Sequence, residues 1–178
     1  MSENFIRTYD NVLDAQLIKT LVQMVDQQLV YSTVNNKHRQ DKQIALDPYW
    51  PSIAMDINNS LLNKCLSPYL EDFPYLKSQG PDWWSGTTLL QKTEPMGGFH
   101  TFHAENVAWA NKNRVLAWMI YLNDIKKGGG TCWPQQNFIT TPKRGDLYIW
   151  PAGWTHSHYG IVAPKEIKYI ITGWCSFI

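Results

Sequence analysis

Apolar positions along the chain fall into two textures. In AQLIKTLVQMVDQQLV, the residues Leu17, Ile18, Leu21, Val22, Val25 and Leu29 recur at intervals of three and four, which predicts an amphipathic helix with Asp14 as its N-cap. A second helical stripe starts at about Ser52 and runs through Ile53, Ile57, Leu61, Leu62, Cys65, Leu66 and Tyr69. Pro68 is expected to end or kink it, because proline lacks the N–H that the ladder needs. Between the two stripes, the polar run NNKHRQDKQIALDP reads as an exposed loop. The segment DFPYLKSQGPDWW is rich in turn formers and reads as the hand-over to a different second half.

From about Thr87, short β-branched and aromatic runs alternate with Gly, Pro and Asn turns. Strands are expected near 88–92, 99–106, 114–122, 130–133, 137–141, 146–150, 155–160 and 167–176. Eight short strands with turn signals between them predict a two-sheet jelly roll, with the helices bracing the outer face of one sheet. The expected fold class is α+β, mainly β: a double-stranded β-helix (jelly roll) braced by N-terminal helices. Residues 1–178 are expected to form one domain, about 1–86 giving helical support and loops and about 87–178 the jelly-roll core. The helical part alone is too small for a good core of its own.

Composition narrows the function classes. The formal net charge of +1 gives no bulk attraction to nucleic acid or to an anionic membrane. Charged residues make up 17%, below the usual share of about a quarter. The 9 tryptophans are concentrated in the second half, where large rings suit the walls of a ligand pocket. Cys65, Cys132 and Cys175 are an odd set without C-x-x-C spacing, which reads as buried reduced thiols. The segment MSENFIRTYDNVLD holds no long apolar run, so neither a signal peptide nor a membrane span is expected, and the cytoplasm is the expected location.

The candidate chemistry lies in two runs, HTFHAEN and WTHSHYGIV. On a regular strand His103 and Glu105 share a face, whereas His100 points to the other. A histidine from a neighbouring strand can complete the set. Parity does not choose between His156 and His158, which share a face. Two histidines and one carboxylate with open positions beside them suit non-haem Fe(II) oxygenases. On the last strand Lys168, Ile170, Thr172 and Trp174 alternate to one face, and Tyr169, Ile171, Gly173 and Cys175 to the other. A lysine on an inward face among Ile, Thr and Trp is costly unless it meets an anion, from the protein or from a ligand. A structural zinc site would need a closed shell, usually with cysteine, and the three cysteines are not adjacent to these residues. Gly128, Gly129, Gly130 and Thr131 read as a tight strand connection, not a phosphate loop, since no Lys-Ser/Thr and helix follow.

The ordered stretches QKTEPMGGFHTFHAE, RVLAWMIYLND, GGGTCW, TPKRGDLYIWPAGWTHSHYGIV and KYIITGW together resemble the Fe(II)/2-oxoglutarate-dependent dioxygenase superfamily. The prolyl 4-hydroxylase-like branch, in the compact form encoded by phages and other viruses, is the most similar. The resemblance covers roughly the C-terminal half; the N-terminal helices and HRQDKQ resemble that branch more weakly. It implies His103, Glu105 and His158 as metal ligands and catalytic centre, His158 being chosen over His156 by its spacing to Gly160 and Lys168. It further implies that Lys168 and Tyr121 hold the distal carboxylate of 2-oxoglutarate, and that Thr172 and Trp174 line the cosubstrate pocket. Two positions depart from the pattern: Glu105 stands where aspartate is more usual, and Thr93 where many relatives carry tyrosine.

The implied cofactors are Fe(II) and 2-oxoglutarate, with O2 as cosubstrate and ascorbate as a supporting reductant. The implied reaction is C–H hydroxylation, with a prolyl residue of a peptide or protein as first choice and release of succinate and CO2. Alternatives are a free amino acid or nucleobase substrate, or a jelly-roll binding module without activity. A membrane partner is not expected, and nucleic acid is disfavoured despite the local cluster Lys37, His38, Arg39 and Lys42. A phage-encoded protein would act in the host cytoplasm. A peptide groove is expected under the loops around 32–50 and 76–86, with Trp50, Trp83 and Trp84 as candidate contacts.

Overall fold

The computed structural model describes residues 3–27, 32–80 and 82–178. Asp14 caps the first helix: its carboxylate accepts the Leu17 N–H at 2.8 Å, and α1 runs over Ala15–Gln27. Ile18, Leu21 and Val25 form its buried stripe, while Leu29 at the expected C-terminal end lies outside the described residues. The second stripe is broken into α2 (Leu46–Tyr49), α3 (Pro51–Leu61), a π-helical turn (Leu62–Leu66), α4 (Ser67–Asp72) and α5 (Pro74–Gln79). Pro68 therefore opens α4 in its first turn, where a missing N–H costs nothing, and the π turn ahead of it absorbs the offset.

Strands β1 (Arg7–Tyr9), β2 (Ser32–Asn35), β3 (Arg39–Ala45), β4 (Trp83–Thr93), β5 (Gly98–Phe99), β6 (Leu116–Tyr121), β9 (Leu147–Pro151) and β11 (Lys168–Phe177) build the larger sheet. Its order is β1-β9-β6-β11-β4-β3-β2, with β5 also paired to β3. The smaller sheet has the order β10-β7-β8, from β7 (Thr131–Trp133), β8 (Phe138–Ile139) and β10 (Tyr159–Gly160). Named pairings are antiparallel throughout, and the sheets are open at their edges, as in a double-stranded β-helix.

The larger sheet separates two cores. On its outer side Leu90, Trp118, Ile120, Ile171 and Cys175 pack with the apolar stripes of α1, α3 and α4. On its inner side Met119, Tyr121, Trp150, Ile170 and Trp174 form a second cluster with Trp133 of the smaller sheet. The alternation along β11 thus sends Lys168, Ile170, Thr172 and Trp174 toward the space between the sheets. Gly128 and Gly129 connect to β7 with φ of +74° and +72°, and a Cβ on Gly128 would stand 1.9 Å from the Val162 carbonyl oxygen. The turn therefore admits only glycine there.

Several expected elements differ. The polar run expected as a loop forms β3 and α2. Its polarity reflects a strand whose Arg39 and Asp41 pair with each other beside the inner cavity while Ile44 enters the outer core. Strand 99–106 contracts to β5, and 155–160 to a 3-10 turn (Trp154–His156) followed by β10. The expected loop at 76–86 is α5 and the start of β4, with Pro81 outside the described residues. Of the three tryptophans proposed as groove contacts, Trp50 and Trp83 pack against the outer core, Trp83 also on the Phe177 ring at 4.6 Å. Only Trp84 stays exposed. The three cysteines are free and buried. No helix among the described residues is long and apolar enough to cross a membrane.

Candidate metal centre

His103 and Glu105 reach the cavity from a loop, not from a strand. The loop is pinned by a bridge in which His103 and His158 exchange backbone hydrogen bonds at 3.0 and 2.8 Å. The Glu105 N–H then donates to the Ala152 carbonyl at 3.0 Å. These bonds fix the His103–Glu105 and His158 segments side by side, so convergence does not depend on strand parity.

Among the described residues, His103, Glu105 and His158 are the group whose ligand atoms all lie within 4.8 Å of one another. Glu105 Oε1 stands 3.3 Å from His158 Nε2 and 3.7 Å from His103 Nε2. Adjacent ligand atoms held about 2.1 Å from one ion at right angles lie about 3 Å apart, so the spacing suits a shared cation. Tautomers strengthen the fit. His103 Nδ1 lies 2.8 Å from the Thr101 carbonyl, and His158 Nδ1 lies 2.9 Å from the His156 carbonyl. A carbonyl can only accept, so both Nδ1 atoms carry protons and both neutral rings turn an Nε2 lone pair toward the carboxylate. Three electron-rich atoms facing one another call for a cation between them. The donor set matches two imidazoles and one carboxylate, and no cysteine joins it, so a closed thiolate zinc shell does not describe the site.

Aromatic rings brace the imidazoles. Phe99 stacks on His103 with centroids 3.8 Å apart, while Trp133 and Trp150 lie 5.3 and 5.2 Å from the His158 ring. Burial opposes the Glu105 carboxylate charge, and only positive charge on the facing imidazoles holds its carboxyl well below the usual carboxylate range; with both rings neutral, a bound cation takes that part. Its other oxygen, Oε2, accepts the Trp174 indole N–H at 2.9 Å and faces Arg114 Nη1 at 3.6 Å.

The cavity beside this set has a volume of about 110 Å³, and Lys168, Thr93, Thr131, Thr172 and Trp174 contribute to its wall. Lys168 makes no ion pair among the described residues, so the protein carboxylate weighed as its partner is not in contact with it. Burial pushes its ammonium down to about 8, with Asp41 opposing the shift. Tyr121 sits deeper: Lys168 Nζ lies 5.7 Å from its ring, but its hydroxyl is bonded to Thr140 Oγ1 at 2.7 Å, and the wall runs through Met119 instead. Thr93 is the register partner of Lys168. Thr172 Oγ1 donates to the Trp118 carbonyl at 2.8 Å.

The competing histidines have other partners. His100 Nδ1 bonds the Gly160 carbonyl at 2.7 Å. His156 is buried, and its Nε2 donates to the Asn4 carbonyl at 2.9 Å, tying the N-terminal segment to the turn before β10. Within the basic cluster, Arg39 is paired with Asp41 and Gln43, and His38 with Thr101. His156→Ala is expected to lower stability by about 1–2 kcal/mol, the worth of a buried hydrogen bond and its packing. Metal affinity should stay unchanged, as a thermal melt and a metal titration of the same variant would show. Two residues at the site were not anticipated. Phe99 lies in the motif run itself, and Arg114 is a lone arginine ahead of an apolar strand, which carries no distinguishing pattern.

Comparison with known proteins agrees with this geometry. The family model of the 2OG-Fe(II) oxygenase superfamily matches residues 88–176, half of the chain. No curated protein matches the chain by sequence. Among solved structures, the chain is similar to a viral collagen prolyl hydroxylase of Paramecium bursaria Chlorella virus-1 in its 2OG complex, with TM-score 0.73 and 16% identity over 98% of this chain and 97% of that one. A Pseudomonas putida prolyl-4-hydroxylase gives TM-score 0.72 at 13% identity, covering 98% and 94% of the two chains. A Trichoplax adhaerens prolyl hydroxylase, solved with a peptide fragment of the hypoxia inducible factor oxygen degradation domain, gives 0.67 at 15%, covering 97% and 84%. At these identities the likeness is one of fold. Fold, motif order and donor chemistry coincide over the matched segment: the chain belongs to the 2OG-Fe(II) oxygenase superfamily and is a 2-oxoglutarate-dependent dioxygenase using Fe(II).

Proposed function

We propose that His103, Glu105 and His158 hold Fe(II), that Lys168 binds the distal carboxylate of 2-oxoglutarate, and that the hydroxylated group is a prolyl residue in a peptide or protein. The observation that carries the reading is one cavity joining the three converging donor atoms to a lysine that has no carboxylate partner among the described residues. The chemistry that Fe(II) supplies when bound is oxidation by O2, in which one oxygen atom enters the substrate C–H bond and the other enters succinate as 2-oxoglutarate loses CO2. The protein contributes the rest. Lys168 pairs with a carboxylate in a wall shared with Ile170, Met119 and Trp150, where a charge-assisted bond is stronger than in water. Thr172 and Trp174 shape the cosubstrate end of the cavity, and Tyr121 would reach the same carboxylate by exchanging its Thr140 partner. The whole chain would act as one unit, because α1, α3 and α4 pack on the outer face of the sheet whose inner face carries the site.

A peptide substrate is supported by the peptide-bound fold relative and by the residues beside the ligands. Phe102, Val107, Trp109 and Trp154 are exposed, and they lie on the two segments that carry the ligands. Such rings offer flat apolar surface at low entropic cost, which suits an extended proline-containing chain. The test is incubation with Fe(II), 2-oxoglutarate and proline-containing peptides. Hydroxyproline with matching succinate is the expected product. Oxygen incorporated only into a free amino acid or a nucleobase would overturn the substrate assignment while leaving the iron site intact.

A further inference from the structure

The two oxygens of Glu105 are in different hands. Oε1 faces the imidazole Nε2 atoms, whereas Oε2 accepts the Trp174 indole N–H at 2.9 Å. Arg114 closes over this arrangement from the segment ahead of β6. Its guanidinium lies 3.4 Å from the centroid of the Trp174 ring, and its Nη1 donates to the Glu105 backbone carbonyl at 3.1 Å while standing 3.6 Å from Oε2. Asn106 in turn donates to the Arg114 carbonyl at 3.3 Å. One arginine therefore touches the main chain and side chain of Glu105 and the ring that bonds its outer oxygen.

A glutamate has one more rotatable bond than an aspartate, and ordering it costs up to about 2 kcal/mol of rotamer freedom. An untethered glutamate could also turn both oxygens toward one ion and fill a position that the cosubstrate needs. We propose that Arg114 and Trp174 act together as positioning residues that keep Glu105 a one-oxygen donor, with Oε2 withheld from the metal. The proposal rests on the assignment of Glu105 as a ligand.

The experiment uses Co(II) alone as probe, read by its affinity and by its visible d–d bands, which report coordination number and geometry. The variants are Trp174→Phe, which keeps a ring under Arg114 but removes the N–H, Arg114→Ala, and the pair together. Each single change is expected to weaken Co(II) binding about tenfold, at the lower end of what lost outer partners cost, and to alter the d–d spectrum. The double variant should fall well short of the product of the two, because both act on one oxygen. A purely structural role would lower the melting temperature and leave the spectrum of the folded fraction as in wild type. Wild-type affinity and spectrum in both single variants would overturn the proposal. His103→Ala separates the two levels. If wild type binds Co(II), His103→Ala does not, and the Trp174 and Arg114 variants match wild type, only the positioning role fails. If wild type takes up no Co(II), the ligand assignment fails and the positioning role with it.

Discussion

Glu105→Ala is expected to abolish Fe(II) binding at micromolar metal. The carboxylate is the only charged donor of the set, and it offsets part of the metal charge in a site walled by Trp133, Trp150 and Phe99. Removing it leaves two neutral imidazoles and an Arg114 guanidinium without its counter-charge next to the ion position. The loss should exceed about a hundredfold, since even an outer partner of a ligand is worth roughly 10–100-fold. Metal content after dialysis against Fe(II) under anaerobic conditions measures it. Stoichiometric iron in the folded variant would remove Glu105 from the ligand set.

Lys168→Met is expected to move stability and cosubstrate binding in opposite directions. Burial lowers the ammonium from 10.5 to about 8, so the empty protein holds this charge at a cost. An apolar chain of similar size should stabilise the cosubstrate-free protein on the order of 1–3 kcal/mol. The same change removes the proposed partner of the distal carboxylate, so the apparent KM for 2-oxoglutarate should rise by two orders of magnitude or so, the worth of a buried charge-assisted bond. The pH dependence has a definite sign in the unmodified protein. Below about 8 the free lysine is charged and binding is at full strength. As pH rises through that value the dicarboxylate must bring a proton with it, and KM climbs toward tenfold per unit. A KM that is flat from pH 7 to about 9.5, or a variant with ordinary affinity, would assign the carboxylate to another group, Arg39 being the other basic side chain in the cavity wall.

The parts of this molecule that were legible in its sequence share a physical reason. On β11, alternation must place Lys168 with Ile170, Thr172 and Trp174 because a strand has two faces, and both faces here are packed. Asp14 was legible because a cap is a local contact with Leu17. The segments of His103, Glu105 and His158 do converge, but from loops and not from regular strands. His103 and Glu105 are held by the His158 bridge and the Ala152 carbonyl, partners about 50 residues away that periodicity does not see. Strand β3 was hidden because its polar residues satisfy one another, with Arg39 on Asp41, so no apolar alternation marks it. Three-residue β1 is too short to show a period at all. Tyr121 lies on the inner face as its position requires, yet its hydroxyl is taken by Thr140. Arg114 had no signal, since nothing local distinguishes it from any surface arginine.

The most direct measurement is an anaerobic titration of the metal-free protein with Fe(II) and then 2-oxoglutarate, following the visible metal-to-ligand charge-transfer band, with His158→Ala and His156→Ala run in parallel. The band should appear in wild type and in His156→Ala, whose ring serves Asn4, and should be lost in His158→Ala. A folded wild-type protein without the band, or a band that survives in His158→Ala and vanishes in His156→Ala, would contradict the assignment of the iron site.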